Sequence, residues 1–161
     1  MDDQLYMAEA LRLAEVAASL DEVPVGAVLV REDGQILARA HNLRERGKMA
    51  TRHAEVLAIE EGCRLLGGWR LPKCTLYVTL EPCLMCAGAL LNARVDRVVF
   101  GAADPKGGAF GGVLSADKLP FGHRISVTSG VMEEECARLM ADYFQKKSEA
   151  PAAPWSGPFL L

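Results

Sequence analysis

The sequence has no apolar run long enough to span a bilayer, and no stretch of it resembles a secretory signal. Its first ten residues, MDDQLYMAEA, are acidic where an export signal would be basic and then apolar. We therefore expect a cytoplasmic protein that does not associate with membranes. With 161 residues, of which 50% are hydrophobic and 24% charged, the chain can form one domain with a hydrophobic core.

The cysteine content does not fit a disulfide framework, because five cysteines are an odd number in a chain without an export signal. Positive charge is not in excess, since 18 Lys and Arg residues stand against 21 Asp and Glu residues. The chain as a whole therefore lacks the charge of a polyanion-binding protein. A nucleic-acid partner would need a local basic patch. The segment RERGKMATR at 44–52 fits such a patch and fits an ordinary solvated surface equally well.

Hydrophobic patterns predict alternating helices and strands over most of the chain. The predicted elements are a helix at 3–20, strands at 25–31 and 36–41, a helix at 53–66, a strand at 75–80, a helix ending near 93, strands at 95–102 and 125–130, and a helix ending near 147. Strand, helix and strand at this spacing require a right-handed crossover between parallel strands, whereas the Asp-Gly pair at 33–34 indicates a hairpin. We therefore predict an α/β fold, a three-layer α/β/α sandwich with a mixed central sheet. The domain should cover 1–147, and the Pro- and Ala-rich segment 148–161 should be a flexible tail.

Two cysteines lie three positions apart in the segment TLEPCLMCAGAL, at the start of a predicted helix. Cys83 and Cys86 should project from one face near the helix N-terminus, where unpaired N–H groups and the helix dipole favour negative charge. Both thiols should therefore ionise readily, as metal ligands must. The spacing alone also fits a redox Cys-x-x-Cys pair.

The segment HAE at 53–55 adds an imidazole and a carboxylate at the start of another predicted helix. One histidine and two cysteines form a zinc ligand set that leaves one coordination position for water. If the strands near 25 and 75 are neighbours, both helix N-termini meet at one edge of the sheet. We therefore predict a catalytic zinc site formed by His53, Cys83 and Cys86, with Glu55 as the residue that transfers protons.

A closed structural zinc site is the main alternative from the residues themselves. Cys63, Cys74 or Cys136 would then complete a Cys3His set, and no position would remain for water. If the site is catalytic, replacing any one of these three cysteines should leave zinc in place. A nucleoside triphosphate site is not predicted, because the glycines of DPKGGAFGG at 104–112 lack the GK[ST] ending of a phosphate loop.

The segments HAE and EPCLMCAGA resemble the motifs of the zinc-dependent cytidine and deoxycytidylate deaminase superfamily. PVGAVLV, AHNLRE, TLYVTLEPC and RVVFGAADPKGG are similar to the bacterial tRNA-specific adenosine deaminases, and this similarity extends to about residue 147. The resemblance implies a cytidine deaminase-like fold, bound zinc and a homodimer. It also implies hydrolytic deamination of adenosine to inosine at the wobble position of a tRNA anticodon loop.

The resemblance assigns the reaction itself to four residues. His53, Cys83 and Cys86 would hold zinc. Glu55 would take a proton from the water that attacks C6 of adenine, and would then protonate N1 and the departing ammonia.

Contacts with the substrate are implied for five further residues. Asn42 would hydrogen-bond the purine, and the N–H of Ala54 would meet the oxygen at C6. Asp104, Lys106 and Phe144 match family positions near the RNA strand. The residue types alone would equally fit a turn cap, a solvated lysine and a core aromatic.

The loop at 104–112 departs from the family pattern. Phe110, Gly111 and Gly112 stand where the family has small or polar residues ahead of a longer segment. Two other functions fit the same zinc set. One is deamination of a free base or nucleotide such as guanine or deoxycytidylate, and the other is a non-catalytic, zinc-stabilised binding module.

Overall fold

The computed structural model describes residues 2–149, and its helices and strands follow the predicted order. The helices are α1 (Asp3–Ser19), α2 (Arg44–Gly47), α3 (Ala54–Leu66), α4 (Leu84–Asn92) and α5 (Glu133–Glu149). The strands are β1 (Gly26–Val30), β2 (Ile36–His41), β3 (Thr75–Leu80), β4 (Arg97–Ala102) and β5 (Ser126–Thr128), with a 3₁₀ helix at Ala116–Lys118. Over these described residues, no helix combines the length and the apolar character needed to cross a membrane.

The five strands form one sheet in the order β2-β1-β3-β4-β5. β1 pairs antiparallel with both β2 and β3, whereas β3, β4 and β5 are parallel. The sheet is therefore mixed, as the hairpin and the crossover predicted. Because β2 and β3 run in the same direction on either side of β1, the segments that follow them leave the sheet at one edge.

Helices cover both faces of the sheet and complete three layers. Along β1, Val28 and Val30 face the core under α1 and α5, whereas Ala27 and Leu29 face the core under α3 and α4. Covering both faces explains why this strand is apolar along its whole length. Each fully buried Val or Leu side chain stabilises the fold by about 1.5–3 kcal/mol. The predicted α/β/α sandwich is confirmed.

Two parts of the chain differ from the sequence-based expectation. Arg44–Gly47, expected within a loop, forms the short helix α2. The last helix continues to Glu149, so Ser148 and Glu149 of the expected tail are helical. The rest of that expected tail, 150–161, lies outside the described residues.

Candidate active site

Helices α3 and α4 begin at the same edge of the sheet, and a candidate zinc ligand precedes the first turn of each. His53 is the N-cap residue of α3 and Cys83 is that of α4, and neither side chain caps its own helix. Asn42, just after β2, takes over the cap of α3, because its Oδ1 accepts the N–H of Ala54 at 2.8 Å. The imidazole and the thiol are thereby left to face each other.

The side chains of His53, Cys83 and Cys86 form a compact triangle, with their ligand atoms within 4.8 Å of one another. His53 Nδ1 lies 3.6 Å from Cys83 Sγ and 3.5 Å from Cys86 Sγ. Zinc bonds of about 2.05 Å to nitrogen and about 2.3 Å to sulfur, at a tetrahedral angle, require a nitrogen–sulfur separation of about 3.6 Å. Both nitrogen–sulfur distances therefore fit a shared zinc ion.

The two thiols of this triangle have pKa values that move in opposite directions. A hydrogen bond from the Cys86 thiol lowers the pKa of Cys83 to about 4, and His53 adds to the effect. The same hydrogen bond, together with burial, raises the pKa of Cys86. The positive charge of a bound cation would favour the thiolate form of both residues. That both thiols ionise as zinc ligands stays a prediction.

Glu55 is buried beside the triangle, with only 4% of its surface exposed. Burial raises the pKa of its carboxyl group to about 7. A carboxyl group that titrates near neutrality can accept a proton and return it, as a general acid–base catalyst does. The sequence-predicted proton-transfer residue is thus in position to act.

A cavity of about 220 Å³ opens over these groups. Its lining consists of Glu22, Val23, Val25, Asn42, Arg44, Glu45, His53, Glu55, Leu80, Glu81, Cys83 and Asp104. The fold therefore brings two of the predicted substrate residues, Asn42 and Asp104, to the same cavity as the zinc set and Glu55.

The N–H of Ala54 donates to Asn42 within the protein. The expected contact between this N–H and an oxygen at C6 would have to share that bond. The Asn42 side chain is correspondingly oriented by its Oδ1, which leaves its NH₂ group as the part that can bind a base. Both residues thus lie at the site, where they are hydrogen-bonded to each other.

Lys106 and Phe144 lie outside the cavity. The N–H of Lys106 donates to Asp104 Oδ1 at 3.1 Å, so Asp104 does cap a turn, which the residue type alone had allowed. Phe144 is 52% exposed on α5 and is therefore not a core residue. It lines a neighbouring groove that shares Val23 and Glu45 with the cavity.

Two buried carboxylates at the cavity were missed at the level of sequence. Glu22 is 1% exposed, and it accepts the N–H groups of Glu45 at 3.0 Å and Arg46 at 2.7 Å, which holds α2 against the cavity. Glu81 is likewise buried. The sequence offered one signal for both residues, which is their position. Each glutamate stands within two residues of a proline, beside a segment that enters the core.

The other three cysteines do not complete a closed zinc site. Within the described range 2–149, none of Cys63, Cys74 and Cys136 joins the triangle. The Cys63 thiol instead donates to the Trp69 carbonyl at 3.6 Å, and the Cys74 thiol donates to that of Pro72 at 3.5 Å. All five cysteines are free thiols in this structure.

Known proteins share both the motifs and the fold of this chain. Residues 1–102 match the family described as the cytidine and deoxycytidylate deaminase zinc-binding region. The chain belongs to this zinc-binding deaminase family. Its tRNA-specific adenosine deaminase relative from Bacillus subtilis is 52% identical over 145 residues, which cover 89% of both proteins.

Solved structures agree with this family membership. A tRNA:A34 deaminase, described as editing A to I at the wobble position of transfer RNA, superposes with a TM-score of 0.81. It is 45% identical, over 84% of this chain and 98% of its own. The guanine deaminase from Nitrosomonas europaea has a TM-score of 0.74 and 25% identity, over 87% of this chain and 83% of its own. The predicted family, its cytidine deaminase-like fold and its use of zinc are confirmed.

Proposed function

We propose that the protein hydrolyses the exocyclic amine of adenosine at the wobble position of a tRNA anticodon, which leaves inosine. The observation that carries this proposal is the triangle of His53, Cys83 and Cys86 beside buried Glu55, at the base of an open cavity. The choice of substrate is supported by the tRNA adenosine deaminases, which are more similar to this chain than the guanine deaminase is.

The ligand set determines what each group does in the reaction. Zinc, when held by the two sulfurs and the imidazole, lowers the pKa of a water molecule and so supplies a nucleophile at neutral pH. Glu55 would accept a proton from the attacking water and pass it to N1 of adenine. It would then take the proton of the new hydroxyl group at C6 and pass it to the amino group, which leaves as ammonia when the C6–N bond breaks. The NH₂ group of Asn42 binds the purine, because its Oδ1 is held by Ala54.

The nucleotides next to the target base would lie against the residues around the cavity opening. Anticodon loops suit such a site because their bases are already partly unpaired and can enter an enclosed cavity. Asp104 lines the cavity, and Lys106 follows it in the same loop. Phe144 is exposed in the neighbouring groove and would stack on an adjacent base, and Arg44 lines the cavity as a partner for phosphate.

We further infer that two copies of the chain form a homodimer in the cytoplasm. Leu84 and Met85 follow Cys83 directly in the first turn of α4, and they are 62% and 37% exposed. A second copy would cover this apolar surface next to the site. The cytoplasmic location, predicted from the sequence, agrees with a tRNA substrate.

The test is to offer the purified protein an anticodon stem-loop with adenosine at the wobble position, alongside free adenosine, guanine and deoxycytidylate. We expect inosine in the stem-loop alone. A stem-loop with its adenosine moved by one position is the matched control and should not react. Turnover of guanine or deoxycytidylate alone would overturn the substrate, and a zinc-loaded protein without any turnover would point to a binding module.

A further inference from the structure

Glu81 is a buried carboxylate that the proposed chemistry leaves without a role. It is 3% exposed and lies between the end of β3 and Pro82. Its Oε1 accepts the N–H of Asp104 at 3.0 Å, and its Oε2 accepts the N–H groups of Phe110 at 3.0 Å and Gly112 at 2.9 Å. Burial of a charge is unfavourable unless it is hydrogen-bonded, so these three bonds are what stabilise a carboxylate here.

The chain from 104 to 112, here called the glycine loop, closes around this carboxylate. A Cβ on Gly108 would lie 2.1 Å from Glu81 Cδ, and a Cβ on Gly112 would lie 2.2 Å from the Asp104 carbonyl oxygen. Neither separation is sterically allowed, so only glycine fits at either position. The close approach to Glu81 therefore explains Gly108, and the close approach to the Asp104 carbonyl explains Gly112.

The glycine loop is also fastened to the segment that carries the zinc ligand Cys83. The N–H of Ala109 donates to the Pro82 carbonyl at 2.9 Å, and Gly108 forms an antiparallel bridge with Cys83. The loop supplies Asp104 to the cavity wall, next to Glu81 itself. The position of that wall relative to the zinc set thus depends on the bonds that Glu81 accepts.

We propose that Glu81 is a positioning residue, whose carboxylate holds the glycine loop where the RNA substrate needs it. Because both of its carboxylate oxygens accept N–H groups of the glycine loop, it acts through the loop that bears Asp104. The inference rests on the proposed function, because an RNA must lie against this wall. It predicts an effect on substrate binding that is larger than the effect on chemistry.

Glu81→Gln tests this role. The amide keeps the size of the side chain, but its NH₂ group cannot accept an N–H and would face one or two of the three donors. We expect exchange of the Asp104, Phe110 and Gly112 amide hydrogens to become at least about tenfold faster. KM for the stem-loop should rise about tenfold while kcat falls less than about threefold, with zinc content unchanged. Glu32→Gln, the same change at an exposed carboxylate, is the control and should alter none of these.

Gly108→Ala is a second variant that leaves the carboxylate in place and forces the loop away from it. It should give the same pattern, whereas Gly68→Ala, with no atom within 4 Å of the new Cβ, should behave like the wild type. Unchanged amide exchange, or faster exchange without a change in KM, would overturn the proposal. So would parallel loss of zinc, kcat and thermal stability in both variants, because that is the result of a purely structural role.

Failure of the proposed function would look different. A wild-type protein that never deaminates the stem-loop contradicts the substrate, whatever the variants do. Amide exchange does not depend on the substrate. It therefore decides whether Glu81 holds the glycine loop, and unchanged exchange would overturn the positioning role in that case as well.

Discussion

Two charged clusters lie at opposite edges of the sheet, and their charges are balanced in different ways. At the start of β4, Arg97 donates to both carboxylate oxygens of Asp3 at 2.9 and 2.7 Å, and the Tyr77 hydroxyl donates to Asp3 at 2.8 Å. At the other edge, Glu55 and the thiols of Cys83 and Cys86 lie around His53. The first cluster is complete in itself, whereas the second holds a ligand set that a cation can complete.

The carboxyl groups of the two clusters differ in the direction of their pKa shifts. The hydrogen bond from Arg97 lowers the pKa of Asp3, whereas burial raises the pKa of Glu55. A carboxyl group with a lowered pKa contributes stability at neutral pH, and one with a raised pKa detracts from it. The two shifts fit a stabilising role for Asp3 and the proton-transfer role that we propose for Glu55.

The largest effect should follow a change at the catalytic edge. Glu55→Gln keeps the shape of the side chain but removes its ability to carry a proton, so deamination of the stem-loop should fall about a thousandfold. Zinc content should not change, and the free energy of unfolding should not decrease. Inosine formation, metal analysis and urea denaturation measure the three quantities. Activity within tenfold of the wild type would contradict the assigned role.

The opposite pattern should follow a change at the other edge. Asp3→Asn leaves Arg97 without its anionic partner, and it should lower the free energy of unfolding by about 1–3 kcal/mol, since hydrogen bonds to charged groups are lost. Turnover per zinc-loaded molecule should stay within about twofold, because no group of the active site is touched. Urea denaturation and stem-loop kinetics on the same preparation would check both.

The difference in the free energy of unfolding between the wild type and Asp3→Asn should depend on pH, and this dependence serves as the control. Because the pKa of Asp3 is lower in the folded protein, the unfolded chain binds more protons as the pH falls towards the ordinary value of 3.8. The extra stability of the wild type over Asp3→Asn should therefore be complete above about pH 5 and disappear below the ordinary carboxyl range. A difference that grows on acidification would show that the ion pair is not its source.

The smallest effect should come from the cysteines outside the triangle. Cys63→Ala, Cys74→Ala and Cys136→Ala should each retain zinc, because these thiols lie away from His53. Cys86→Ala is the matched control and should lose it. Loss of zinc from any of the first three would show that the site is closed by a fourth protein ligand.

Local spacing made the zinc site predictable. Cys83 and Cys86 lie one helical turn apart, and His53 and Glu55 lie at the start of a second helix. A parallel crossover then brings both helix starts to one edge of the sheet. The mixed sheet was predictable for the same reason. The Asp-Gly turn and the strand–helix–strand order each allow only a few arrangements of neighbouring strands.

The groups that surround the zinc set were not predictable in this way. Glu81 binds backbone N–H groups 23 to 31 residues away, and Glu22 binds N–H groups 23 and 24 residues away. Any residue type can donate a backbone N–H, so the partner leaves no trace in the sequence. The bond between Asn42 and Ala54 was missed for the same reason.

The place of β1 in the sheet has a mechanical consequence. His53 follows β2 and Cys83 follows β3, and these strands are separated by β1. A cation bound by both residues would link two strands that are not neighbours in the sheet. His53 and Cys83 are 30 residues apart in the sequence. Removing the metal with a chelator should therefore destabilise the edge of the sheet that carries the zinc ligands, while the edge held by Asp3 and Arg97 stays folded. The metal would thus determine which part of the protein unfolds first.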